Sequence, residues 1–170
     1  MPKGMQAIYT QNASGSAATI TFNNIPQTYT DLKVVVGGRG GQAQVYQQTY
    51  YRFNGDAGTN YSATSIQGTG SGTGSYRESA QTRGSGGLLN GSTATANSFG
   101  NLEFHIPNYT SGIFKQVWIE YINETNGVAA YQGLEAGVYR SSAPITSLEI
   151  NTFGAALAAS TTVTLYGISR

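Results

Sequence analysis

The sequence predicts an all-β fold, an antiparallel β-sandwich of jelly-roll-like type, and three observations carry that expectation. Apolar residues recur with a period of two along most of the chain. Clusters of Gly, Pro, Asn and Ser interrupt the alternation about every ten residues, the spacing of sandwich and barrel strands. No segment carries an apolar stripe at helical spacing between capping residues. Two packed antiparallel sheets of about eight to nine strands in all bury such a pattern most simply. At 170 residues the chain is long enough for one domain with its own core. No repeat or linker divides it, so 1–170 is expected as a single β-sandwich domain. It would carry a short N-terminal arm (1–5) and a long Gly/Ser-rich excursion (62–92).

A first short strand is expected over 6–9, turned by Asn12-Ala13-Ser14-Gly15-Ser16. Ala18-Thr19-Ile20-Thr21-Phe22 alternates cleanly, and Asn23-Asn24-Ile25-Pro26 ends it because proline cannot donate to a ladder. Over 29–36 the residues Leu32, Val34 and Val36 share one face, with Asp31, Lys33 and Val35 on the other. Gly37-Gly38-Arg39-Gly40-Gly41 breaks the pattern as a turn, since neither a following helix nor a Walker lysine makes it a phosphate loop. Alternation resumes over 44–53 and runs into Asn54-Gly55-Asp56 and Gly58, with Tyr61 closing the turn. This stretch, 51–61, packs more turn residues between large side chains than any other.

The segment 62–92 is nearly featureless, with Tyr76-Arg77-Glu78-Ser79, read as a short strand or a loop, between two Gly/Ser runs. A loop of that length is either a passive surface excursion or one that orders against a partner. Strands then follow over 98–106 (Phe99, Leu102, Phe104, Ile106) and over 114–123, the most apolar of all. Asn126-Gly127 is a hairpin signal, and 128–140 is expected to pair back with Tyr131, Leu134, Ala136 and Val138 toward the core. Strands over 145–153 and 161–168 complete the chain.

Composition narrows the function. Charged residues are 10% of the chain against roughly 25% in an ordinary domain. Because apolar residues are only 39%, Ser, Thr, Asn, Gln and Gly must cover the surface, which suits extracellular particles and assemblies. The formal charge is +1 and the nine Lys and Arg are scattered, so neither nucleic acid nor an anionic membrane is an expected partner. With no cysteine there is no disulfide framework and no thiolate metal site. The N-terminal residues lack the apolar core of a signal peptide, so synthesis in the cytoplasm is expected.

Catalytic equipment is not legible. His105 is the one histidine, and in an apolar strand it is expected to be outward-facing or hydrogen-bonded. Asp31 and Asp56, the only aspartates, have no triad context. Glu103, Glu120, Glu135 and Glu149 lie on separate strands; two of them would act on a glycoside only if they met in a cleft, and solvent-facing positions explain them more simply. Asn54, Asp56 and Asn60 are loosely spaced like a calcium loop, but only one is a carboxylate and Ser65 stands where the bidentate acid would fall. A turn motif of Asn54, Gly55, Asp56, Asn60 and Tyr61, in which the side chains bond their own backbone, is the expectation. No catalytic residue, cofactor or metal is expected. Twelve tyrosines fit equally a carbohydrate surface, strands or a protein interface.

Three pieces of sequence taken together point further: Ile20-Thr21-Phe22-Asn23-Asn24-Ile25-Pro26 with Tyr29-Thr30-Asp31-Leu32, Arg52-Phe53-Asn54-Gly55-Asp56 with Asn60-Tyr61, and Thr162-Val163-Thr164-Leu165-Tyr166-Gly167-Ile168. In this order and spacing they resemble a group of small structural proteins of tailed-phage virions that includes capsid decoration (cement) proteins, head fibres and tail-fibre tips. The resemblance implies a jelly-roll-like sandwich assembled as a homotrimer, without an enzymatic step. A first strand so close to Met1 leaves little room for a fibre anchor, which favours a free-standing domain on the outer capsid surface. The major capsid protein of the same virion would be its partner. Met1, Pro2, Lys3 and Met5 of the arm, with Tyr76 and Arg77 of the excursion, are the expected partner contacts. The alternative is a fibre-tip or head-fibre domain binding host-surface glycan, with Tyr50, Tyr51, Tyr61 and Tyr76 lining a groove.

Overall fold

The computed structural model describes residues 4–127, 129–152 and 154–169. They form twelve antiparallel strands in two facing sheets, a jelly-roll-like β-sandwich with no helix among the described residues. In chain order the strands are β1 (Gly4–Asn12), β2 (Thr19–Phe22), β3 (Asp31–Gly38), β4 (Tyr46–Phe53), β5 (Tyr61–Gly68) and β6 (Thr73–Gln81). Then come β7 (Gly84–Asn90), β8 (Gly100–Pro107), β9 (Lys115–Asn123), β10 (Tyr131–Tyr139), β11 (Leu148–Thr152) and β12 (Thr162–Ser169). The large sheet has the order β1-β12-β3-β8-β9-β10-β5-β6 and the small one β2-β11-β4-β7.

The strand count exceeds the expected eight or nine because the 62–92 segment is not a loop. It contributes β5, β6 and β7, of which β5 and β6 pair with each other and β7 pairs with β4. Their Gly/Ser composition hides the alternation: Gly84, Ser85, Gly86 and Gly87 of β7 are all buried. A Cβ on Gly84 would stand 2.0 Å from the Tyr51 ring, and one on Gly87 would stand 2.6 Å from Tyr121. Side-chain size is removed there so that facing tyrosines can lie against the strand. At the N-terminus, Gly4 and Met5 of the expected arm pair with Ser169 and Ile168 as the start of β1.

The core sits between the sheets. Leu32, Val34 and Val36 of β3 face it as the alternation requires, with Leu102, Phe104 and Ile106 of β8 alongside. The small sheet answers with Ile20, Phe22, Tyr51, Phe53, Leu148 and Ile150. Each such side chain contributes about 1.5–3 kcal/mol on burial. Tyr51 is central, edge-on to Tyr61 (5.9 Å) and Phe104 (5.7 Å) and tilted against Phe53 (5.0 Å).

On β10 Tyr131 packs against the core as expected, but beyond it the structure reverses the expected faces. Gly133, Glu135, Gly137 and Tyr139 point inward, whereas Leu134 and Ala136 are exposed. A Cβ on Gly133 would come within 2.3 Å of Tyr121, and one on Gly137 within 2.6 Å of the Tyr51 hydroxyl. Two large rings from other strands fill the space, so β10 supplies glycines beneath them and its leucine turns out. The Gly37-Gly38-Arg39-Gly40-Gly41 stretch is also more ordered than a turn. β3 continues through Gly38, and the Arg39 guanidinium donates to the carbonyls of Ser92, Ala94, Thr95 and Ser98. Asn126-Gly127 lies within the 124–130 connection rather than in a two-residue hairpin, since Asn123 and Tyr131 are the last paired residues.

Candidate functional site

The expected turn motif is a structural corner. β4 belongs to the small sheet and β5 to the large one, so Asn54-Gly55-Asp56 carries the chain between layers. Asn54 and Gly55 both have positive φ (54° and 65°), and Asp56 N–H closes the turn on the Phe53 carbonyl at 2.9 Å. Asn54 Oδ1 accepts from Thr146 N (2.8 Å) and Ser147 N (3.2 Å), while its Nδ2 donates to the Pro144 carbonyl. Asp56 Oδ1 accepts from Gly58 N at 2.7 Å; Oδ2 accepts from Asn60 Nδ2 at 2.9 Å and Tyr139 OH at 3.0 Å. These bonds, that of Asn60 foremost, hold the Asp56 carboxyl below its usual range. Tyr61, stacked on Tyr139 at 4.9 Å, accepts from Phe53 N through its hydroxyl. The Asn54 and Asp56 oxygens that a calcium loop would offer are thus engaged within the protein.

The chemistry-bearing residues do not assemble. His105 faces outward from β8 with Nε2 3.5 Å from the buried Asp31 carboxylate. Glu103 and Glu120 are direct cross-strand neighbours, but on the open outer face of the large sheet, where Lys33 bridges Glu103 at 2.7 Å. Among the described residues no three His, Cys, Asp or Glu side chains could hold a metal ion together.

Glu135 departs from expectation. It is 1% exposed, pointing between the sheets from β10. Its Oε2 accepts from Tyr76 OH at 2.6 Å and Ser85 Oγ at 3.0 Å, while its Oε1 has no hydrogen-bond partner. Burial holds its carboxyl above the usual range, against the pull of those two donors. Its charge also acts on Tyr121, whose hydroxyl burial and Glu135 together push up to about 12.

Tyr76 and Ser85 stand at the edge of a cleft of about 250 Å³ between the two layers. Tyr46, Gln48, Gln67, Tyr121 and Tyr131 line it with them, and Tyr46 and Tyr131 meet edge to face at 5.3 Å. Of the tyrosines expected to line a groove, only Tyr76 does so; Tyr51 and Tyr61 are core residues, and the Tyr50 ring lies 3.9 Å beneath the Arg83 guanidinium. The period-two pattern offered no signal for the remaining cleft residues. The glycines facing their rings, Gly87 and Gly133, were the trace that sequence held.

A second surface lies on the outer face of the large sheet. Ile66 of β5, Leu134 of β10, and Trp118 and Ile122 of β9 are 59%, 41%, 57% and 43% exposed. Ile66 and Leu134 are paired in register; on β9 Leu134 faces Glu120, with Trp118 and Ile122 diagonal to it on either side, so the four surround a carboxylate across three adjacent strands. A trough of about 560 Å³ runs over Ile66 and Leu134 toward Thr73 and Ser75 of β6. Among the expected partner contacts, Met5 is exposed on β1 and Arg77 exposed on β6; Met1, Pro2 and Lys3 lie outside the described residues.

No protein-family model matches the chain, and no curated protein matches it. Among solved structures, a galectin of Caenorhabditis elegans, LEC-6, is similar at 12% identity over 95% of this chain and 96% of its own, with a TM-score of 0.33. A scytalido-glutamic peptidase crystallised with a transition-state analogue inhibitor is similar at 12% identity over 94% of this chain and 66% of its own, with a TM-score of 0.23.

Proposed function

We propose that this chain is a non-enzymatic structural protein of a virion, a capsid decoration protein that binds the outer surface of the shell and stabilises it. The apolar outer face of β5, β9 and β10 carries the proposal. In a half-solvated antiparallel sheet the outer positions are polar, yet here Ile66, Trp118, Ile122 and Leu134 cluster on them around Glu120. Covering what remains exposed would contribute roughly 1 kcal/mol for each side chain. The occupant of this face is a shell subunit, the major capsid protein, rather than solvent. Charge supports that choice: like charges directly opposite are unfavourable, and only Glu103 of the Glu103–Glu120 pair is bridged by Lys33. A shell residue with a positive charge opposite Glu120 would complete the contact.

Such interfaces are modest singly and strong in number. A homotrimer at three-fold or quasi-three-fold positions would engage several shell subunits at once, so that the repeated contacts resist outward pressure. The test is cosedimentation with shells of the source virus that lack the protein, followed by heating to DNA release. Saturable binding that raises the release temperature is the expected result, together with its loss in Leu134→Glu and Trp118→Glu chains that fold normally. Absence of binding, or binding indifferent to both substitutions, refutes the assignment of this face.

A further inference from the structure

We propose that the cleft between β4–β7 of the small sheet and β5, β9 and β10 of the large one binds a neutral saccharide about one sugar ring in size. The site goes beyond the shell-binding role and uses a different part of the molecule. Its volume of about 250 Å³ is a little below that of drug-sized sites, which suits a single ring.

The hydrogen bonds inside the protein decide what the cleft offers. Tyr76 OH and Ser85 Oγ both give their protons to Glu135 Oε2. With those protons committed, the 3.1 Å contact between the two hydroxyl oxygens carries none, and both oxygens present lone pairs to the cleft as acceptors. Glu135 is therefore a positioning residue: it sets the direction of two hydroxyls without lining the cleft itself. The opposite polarity comes from Gln67. Its Oε1 accepts from Tyr121 OH at 2.9 Å, and no described residue takes a hydrogen bond from its Nε2, so the amide donates into the cleft. Gln48 adds a second amide. Fixed acceptors beside fixed donors match the alternating hydroxyls of a sugar.

The remaining wall is aromatic. Tyr46 and Tyr131 are half-buried and present ring surface beside the polar groups. The electron-rich face of such a ring attracts the positive C–H edge of a pyranose. Charge sets the class. Among the described residues no Lys or Arg lines the cleft, and the Glu135 carboxylate stands directly behind Tyr76 and Ser85, so a uronic or sialic acid would meet repulsion with no compensating cation there. A protonated amino sugar would feel the same charge as an attraction, so it is expected to bind at least as well as its neutral counterpart.

The experiment is an NMR titration of the full isotope-labelled chain with methyl glucoside, methyl galactoside, methyl mannoside, N-acetylglucosamine, glucosamine and glucuronate. At least one neutral sugar is expected to bind saturably, with shifts concentrated at Tyr46, Gln67, Tyr76, Ser85 and Tyr131. Tyr46→Ala and Gln67→Leu should each weaken that binding about tenfold, the scale of one lost stacking or hydrogen-bonding partner. Gln116→Ala on the outer face should leave it unchanged. Unfolding midpoints of all variants establish that each is folded. No binding by any neutral sugar, tighter binding of glucuronate, or binding that survives both cleft substitutions overturns the proposal. Shell cosedimentation of the Tyr46→Ala chain is expected to be unaffected, which separates this failure from that of the decoration role; Gln67 also borders the outer trough and is not used for that comparison.

Discussion

Replacing Glu135 tests whether a buried carboxylate is held here for its hydrogen bonds or in spite of its charge. In Glu135→Leu, Ser85 Oγ and Tyr76 OH lose their shared acceptor. Ser85 is 2% exposed, so its unmade bond costs most; Tyr76 borders the cleft and can turn to solvent. At about 1–3 kcal/mol for a buried unsatisfied donor, the leucine variant should lose about 2–4 kcal/mol. Glu135→Gln keeps one acceptor oxygen for both donors. It places its NH2 where Oε1 now lacks a partner, close to the cross-strand Ser65, whose Oγ is also unpartnered. The glutamine variant should therefore stay within about 1 kcal/mol of the parent at acidic pH.

The pH dependence has a definite sign. Burial, with a smaller contribution from Glu78, holds the folded carboxyl above its unfolded value, while Tyr76 and Ser85 oppose the rise. Stability from this group is then complete below the unfolded pKa of about 4.3 and is lost as pH rises toward the folded value. Glutamine does not ionise, so the variant should gain on the parent as pH is raised from 4 to 8. Tyr51, Tyr76 and Tyr121, the other groups coupled to this charge, stay neutral throughout because their hydroxyls are raised as well. Urea unfolding of parent, glutamine and leucine chains at several pH values measures all of this. A glutamine variant as unstable as leucine, or a parent-to-glutamine difference that does not change with pH, would refute the reasoning.

Gly133→Ala should destabilise by about 1–3 kcal/mol or more, because the new Cβ would sit 2.3 Å from Tyr121. Gly87 also lies close against that ring, which limits where it can shift; thermal unfolding close to the parent's would show the ring yields toward the cleft. Asn54→Ala should lose about 2–4 kcal/mol, combining left-handed strain at φ 54° with the bonds to Thr146, Ser147 and Pro144. Asn54→Gly removes only the bonds, so in the same assay it should fall between parent and alanine; equal losses would mean the backbone contributes nothing.

Period-two alternation, turn residues and the lack of a helical stripe were enough to specify an all-β sandwich, because those signals are local. Leu32, Val34 and Val36 are buried as their spacing demanded, and Asn54-Gly55-Asp56 turns because only such residues accept the positive φ there. Of the three strands within 62–92, only the middle of β6 at Tyr76-Arg77-Glu78-Ser79 offered a strand reading, and the rest stayed hidden for a physical reason. β7 buries Gly and Ser beneath Tyr51 and Tyr121, so the bulk that marks a strand as inward belongs to other strands. The same exchange turned Leu134 outward and Glu135 inward, against the pattern on β10. Neither the apolar outer face nor the tyrosine cleft could be seen before that exchange was known. Alternation shows that a strand has two faces; which face meets the core depends on the volumes arriving from across the sandwich, and only the tertiary structure decides it.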